Sequence, residues 1–140
     1  QRGRVVGGQG LGIEADRGYV PHWLGRAQAH AWTATHAHLT GRDPTDAYRG
    51  MDEDFTRALA LDPDNLEARV RHAEQISNWG AERMERGEDP TDLYARADAG
   101  FLAALERDPE DSDAWAGRGT LGKCWRRSAP RIPTTITVFH

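Results

Sequence analysis

The hexapeptide Gly41-Arg42-Asp43-Pro44-Thr45-Asp46 returns as Gly87-Glu88-Asp89-Pro90-Thr91-Asp92, 46 residues further along the chain. Self-similarity at a fixed spacing constrains the fold more than any single motif does, because each copy must adopt one local structure and share its apolar face with a neighbour. The register then holds without a gap: Tyr48 matches Tyr94, Asp52 matches Asp98, Phe55 matches Phe101, Ala58-Leu59 matches Ala104-Leu105 and Asp62-Pro63 matches Asp108-Pro109. On the N-terminal side Ala27, Ala73 and Gly119 share a column, Trp23 and Trp115 stand two periods apart, and Trp79 recurs as Trp125. Roughly two and a half units are visible, over residues 20–125.

Each unit reads as two helices. In Asp43-Pro44-Thr45-Asp46 the aspartate suits an N-cap, proline suits the first helical position, and the acid that follows favours the positive end of the helix dipole. Met51, Phe55, Ala58 and Leu59 then place one apolar stripe on one helical face, and Ala97, Phe101, Ala104 and Leu105 repeat it. Pro63 and Pro109 disfavour α conformation in the residue before them, so these helices are expected to end near Leu61 and Arg107. The next helices are expected to begin around Leu66 and Ser112. The long helix of the middle unit passes Ala68, Ala73 and Ile76 and stops at Gly87, a residue suited to the left-handed position after a helix.

Composition agrees with thin layers of helices. Leu, Ile, Val and Phe make up only about 16% of the chain, under the roughly 20% at which disorder becomes a concern. Abundant alanine, five tryptophans and a net charge of only -4 weigh against disorder. Alanine has the best helix propensity and lets helices approach closely, which argues against a thick β-sandwich core. The pI near 5.8 gives no overall attraction to nucleic acid or to an anionic membrane, and neither is expected as a partner. The one cysteine, Cys124, has no intrachain partner, and no start resembles a signal peptide, so the expected setting is cytoplasmic. Because residue 1 is Gln, the chain reads as processed or as a fragment of something longer. Residues 1–19 read as a Gly-rich linker or the remnant of a preceding repeat, 20–125 as the repeat domain, and 126–140 as an irregular basic tail. Within that tail, residues 132–139 have β-type composition and are expected either to be disordered or to cover the exposed end of the array.

The spacing of Ala97, Phe101, Ala104 and Pro109 resembles the second-helix signature of tetratricopeptide repeats. Met51, Phe55, Ala58 and Pro63 give a second copy, and Trp115 followed by Gly119 is similar to the first-helix signature. The usual period in that family is 34 residues; the extra 12 fall between the two signatures, around residues 35–44 and 81–90. Arg69 stands where tryptophan is common, and Arg26, His72 and Arg118 occupy a column usually held by leucine. HEAT-type repeats, with periods close to 46, are the alternative architecture. The Gly-x-Asp-Pro insert also resembles repeat tails attached to bacterial serine/threonine kinases and related signalling proteins.

The resemblance implies an all-α fold of antiparallel helix-turn-helix repeats stacked as a short right-handed α-solenoid. It implies a scaffold that holds a peptide or partner protein in a concave groove lined by the first helices, within a larger signalling protein. Carried over column by column, the groove residues are Gln28 and Trp32, then Arg71, Glu74 and Asn78, then Thr120 and Lys123. Self-association through exposed repeat ends is a further expectation. The alternatives are a structural spacer or oligomerisation segment without a ligand groove and, with less support, a histidine-based metal protein or enzyme. Trp23 and Trp115 are expected in the core, since buried rings carry large area. Trp32 is balanced between core and ligand contact, and Arg71 with Glu74 also fits a solvated helix pair.

No catalytic residue, cofactor or metal is expected. His30, His36 and His38 cluster in sequence, but on a helix positions 36 and 38 project about 200° apart, and 30 and 38 lie about 12 Å apart along the axis. The segment Gly7-Gly8-Gln9-Gly10-Leu11-Gly12 lacks the Gly-Lys-Ser/Thr ending of a phosphate-binding loop and reads as a linker.

Overall fold

The computed structural model describes residues 19–128. Their regular structure is entirely helical: α1 (Val20–Leu39), α2 (Thr45–Leu61), α3 (Leu66–Glu85), α4 (Thr91–Arg107) and α5 (Ser112–Ser128). The chain divides into two compact units that part within α3, between Arg69 and Val70. The glycine-rich stretch before residue 19 and the β-type stretch at 132–139 lie outside the described residues. Among the described residues no helix is long and apolar enough to cross a membrane.

Matching hydrogen bonds recur at the helix ends, 46 residues apart. Asp43 Oδ1 accepts the Thr45 N–H at 3.0 Å and the Thr45 hydroxyl at 2.6 Å, and Asp89 does the same for Thr91 at 2.9 and 2.6 Å. The prolines, not the aspartates, are the N-cap residues, and regular helix begins at these threonines; each aspartate, one position further out, accepts the N–H of the first helical residue. Hydrogen bonds from the Thr91 hydroxyl and N–H hold the Asp89 carboxyl below its ordinary range. At the other end, Gly41 and Gly87 adopt φ of +75° and +78°. There the Arg42 N–H reaches the Ala37 carbonyl and the Glu88 N–H reaches that of Arg83, both at 2.8 Å, while Gly41 and Gly87 bond back to His38 and Met84. This paired closure with a left-handed glycine is the Schellman motif, and it ends α1 and α3 alike. Pro63 and Pro109 sit where expected, just past α2 and α4.

The turns into α3 and α5 also match. Asn65 Oδ1 caps α3 through the Ala68 N–H at 3.0 Å, and Asp111 Oδ1 caps α5 through the Ala114 N–H at 2.9 Å. The departure at position 69 has a local explanation. Arg69 Nη2 donates to the Pro63 carbonyl at 2.6 Å, and Trp115 Nε1 donates to the Pro109 carbonyl at 2.7 Å. Guanidinium and indole N–H thus hold the same turn by the same bond. Trp115 therefore lies back over its turn and is 53% exposed, which overturns the expectation that it sits in the core; Trp23 does, at 6%.

In the first unit α1 packs on α2. The buried face of α1 is Trp23 with Ala27, Ala31, Ala34 and Ala37, and that of α2 is Tyr48, Met51, Asp54, Phe55 and Ala58. Leu59 is only half-buried. In the second unit α4 packs on α5 and buries Leu93, Tyr94, Ala97, Phe101, Ala104 and Leu105. The Tyr94 ring lies against Gly80, where a Cβ would come within 2.6 Å of it, and the Phe101 ring sits just as tightly on Gly117. α5 runs three residues beyond Trp125, into the segment expected to be irregular. Arg126 and Arg127 fall in its last turn, where positive charge opposes the negative end of the helix dipole.

Gly117 and Gly119 are neighbours on one helix with opposite surroundings, since a Cβ at Gly119 meets nothing within 4 Å. Gly119→Ala is expected to raise stability by about 0.5–1 kcal/mol through helix propensity alone. Gly117→Ala should lower it by about 1–2 kcal/mol, because displacing the buried Phe101 ring outweighs the same gain. Urea unfolding followed by circular dichroism distinguishes the two signs.

Candidate functional site

The capped ends and tight helix contacts fix which faces point outward. In the first unit the alanine stripe of α1 faces α2, and Trp32 projects about 160° away from it. Trp32 is 68% exposed, and Gln28, one turn earlier, is half-buried. Leu39, seven residues on and 75% exposed, continues the same strip about 10 Å along the axis. Sequence reasoning missed Leu39, although its spacing from Trp32 was readable.

In the second unit Arg71, Glu74 and Asn78 occupy successive turns on one face of α3. Arg71 and Asn78 are exposed, and the Asn78 amide lies 3.4 Å from Gln75 Oε1. Glu74 is half-buried. Burial is the largest influence on its carboxyl and raises it above the ordinary 4.5; Arg71 opposes this, and Asp113 and Asp111 reinforce it. Thr120 and Lys123 are exposed on α5, one turn apart. Each unit therefore presents its own predicted columns to solvent.

A second cluster was not anticipated. Asp54 is 1% exposed in the middle of the apolar stripe of α2. Its carboxylate lies 3.4 Å from Arg26 Nε, 3.5 Å from His30 Nε2 and 3.6 Å from Arg57 Nη1. Oδ2 makes no hydrogen bond of good geometry, so the buried charge is balanced by near contacts rather than by direct donors. Arg26 and Arg57 also bracket the Trp23 ring, at 5.5 and 4.9 Å from its centroid. Gly50 makes room for the imidazole, since a Cβ there would meet His30 at 2.8 Å. The signal lay in the repeat, where His30, Gly50 and Asp54 stand at positions that carry Ile76, Arg96 and Gly100 one period later. All three depart together. Because Asp54 is sealed from solvent, the pair offers no surface on which a substrate could meet the carboxylate, and the cluster reads as part of the core. His36 and His38, by contrast, are exposed.

The second unit also carries a groove of about 450 Å³ along α5, lined by Trp115, Arg118, Gly119, Gly122, Trp125 and Arg126, with Asp98 of α4 at its edge. Asp98 accepts from Arg118 Nε at 2.8 Å and fixes the guanidinium there. Trp125 packs obliquely on Tyr94, with ring centroids 6.0 Å apart. Neither a protein-family model nor a curated protein sequence matches this chain.

Glu74 yields a prediction with a definite sign. A raised carboxyl binds its proton more tightly in the folded chain than in the unfolded one, so its ionisation opposes folding at neutral pH. Glu74→Gln is expected to raise the melting temperature at pH 7, and the gain should shrink as pH falls and vanish below the ordinary value of 4.5. Parallel thermal melts across that range check it; a gap that widened in acid would refute the assignment.

The His30 and Asp54 contact is tested by a double-mutant cycle with His30→Ile and Asp54→Gly, the residues found one period later. The single changes should be non-additive by about 0.5–3 kcal/mol, as for residues in one buried network. Additive losses in urea unfolding would remove the cluster from the energetics of the first unit.

Proposed function

We propose that the chain is a protein-binding scaffold of the tetratricopeptide type, its helical pairs repeating as a short right-handed α-solenoid and its first helices presenting a surface to a peptide or partner protein. The observation that carries this reading is Trp32. It is 68% exposed on α1, opposite the buried face, and none of the packing described for the first unit requires it. Solvent-facing tryptophan is the residue type most enriched among residues that dominate binding energy. With Leu39 it forms two apolar anchors about 10 Å apart, a spacing that suits the i and i+7 anchors of an amphipathic helix. Gln28 beside it supplies hydrogen-bonding capacity. In the second unit Arg71, Glu74 and Asn78 offer a mixed polar row, which orients a ligand more than it attracts one.

The bond-for-bond recurrence of caps and closures at a 46-residue spacing supports the repeat part of the reading. Selection of a displayed peptide library against the full chain tests the binding part. A selected peptide should bind Trp32→Ala at least about tenfold more weakly, the loss expected for an aromatic anchor. The melting temperature should stay unchanged, because the side chain is largely in solvent. A library that yields no binder, or binders indifferent to Trp32, would favour a spacer without a ligand surface.

A further inference from the structure

The groove on α5 lies on a different face from Thr120 and Lys123, and the peptide-binding reading makes no use of it. Its floor is formed by Gly119 and Gly122 and its ends by Trp115 and Trp125. In the repeat register most of these columns are closed in the preceding units, with Trp23 at 6% exposure, Ala27 at 0%, Ala73 at 3%, Ile76 at 2% and Trp79 at 7%, while Arg69 and His30 are half-buried and Thr33 is exposed. Trp115, at 53%, stands open. The helix that would close the groove in a third unit is not encoded in register. Thr135-Ile136-Thr137-Val138 stands where Asp-Pro-Thr-Asp is required.

Two features select the occupant. The tryptophans and glycines of the groove are placed almost symmetrically about position 120, with Trp115 and Trp125 five residues to either side and Gly119 and Gly122 straddling the centre; Arg118 and Arg126 have no matching counterparts. In a two-fold symmetric contact residue i meets j while j meets i, so an antiparallel pair of α5 helices crossing near 120 sets each Trp115 against the partner's Trp125. The two glycines lie at the crossing, where a Cβ on Gly119 would meet nothing and one on Gly122 only the tip of Arg126. The charges are ordered the same way. Asp111 and Asp113 lie at the start of α5 with Glu74 near enough to feel them, and Lys123, Arg126 and Arg127 lie at its end. An antiparallel partner lays its basic end over the acidic end and opposes the two helix dipoles favourably.

We propose that the α5 groove is a self-association surface, filled by the α5 helix of a second copy of this chain running antiparallel. The two copies bury Trp115 and Trp125 against each other over the glycine notch. Arg118 is held back by Asp98 and leaves the floor clear.

Sedimentation equilibrium of the full 140-residue chain over a wide concentration range tests this, together with hydroxyl-radical footprinting that reads Trp115 and Trp125 individually. The expected result is a monomer–dimer equilibrium in which protection of both tryptophans rises with concentration. Gly119→Arg fits the monomer and favours helix, so its circular dichroism should be unchanged while association weakens by at least about tenfold. Arg126→Glu should weaken it several-fold and reduce its salt sensitivity. A monomer at every concentration overturns the proposal. If its tryptophans are protected, the groove belongs to the chain's own residues beyond 128; if they are exposed, it is left for a different protein. Association that survives Gly119→Arg unchanged overturns it as well.

Discussion

Ala27, Ala31, Ala34 and Ala37 line the face of α1 that meets α2, and at Gly80 and Gly117 even the methyl group is missing. These small residues set the distance at which each helix pair closes. Met51, Tyr94 and Phe101, from α2 and α4, are the largest of the fully buried groups that complete the core. Close approach is how a chain poor in leucine, isoleucine and valine reaches native packing density. It also leaves no slack: a ring seated on a glycine has nowhere to go when a methyl is added.

That dependence explains why helix ends are so carefully specified. A helix pair closing at short range tolerates little error in where each helix starts, and the same three devices recur at both copies. An aspartate two residues before the first helical threonine fixes one end, a left-handed glycine fixes the other, and an N–H from residue 69 or 115 ties down the turn between. The first two were legible from residue identity, because aspartate–proline and glycine have few other reasons to recur at a fixed spacing. The third was not. Arginine and tryptophan share no resemblance as letters, only an N–H within reach of one carbonyl. Trp115 was misread for the same reason: its area suggested burial, while its indole N–H was already committed to the surface turn.

The helical class and the ends of α2, α3 and α4 near Pro63, Gly87 and Pro109 followed from pattern, and the eight residues read as the apolar stripes of α2 and α4 are buried, Leu59 apart. What pattern could not supply was neighbourhood. Asp54 sits inside a stripe read as apolar, and two of its three partners, Arg26 and His30, come from a helix more than twenty residues earlier. Leu39 is exposed although nothing in its own identity says so. On the outer faces, sequence located the columns that look into solvent, Trp32 above all, but did not reveal that one face of α5 carries a groove as well.

The Asp54 cluster has a bearing on how a repeated chain avoids confusing its own parts. Helices that share a register also share most of their contacts, so α1 could in principle seek α4, and α3 could seek α2. Pairing α3 with α2 would set Ile76 where His30 belongs and leave the Asp54 carboxylate sealed against a hydrocarbon side chain, a loss of several kcal/mol. Pairing α1 with α4 would bring the imidazole against Arg96 instead of into the hollow left by Gly50. Divergence at three positions out of a 46-residue period thus gives each pair an address, and similar halves sort themselves without differing in architecture.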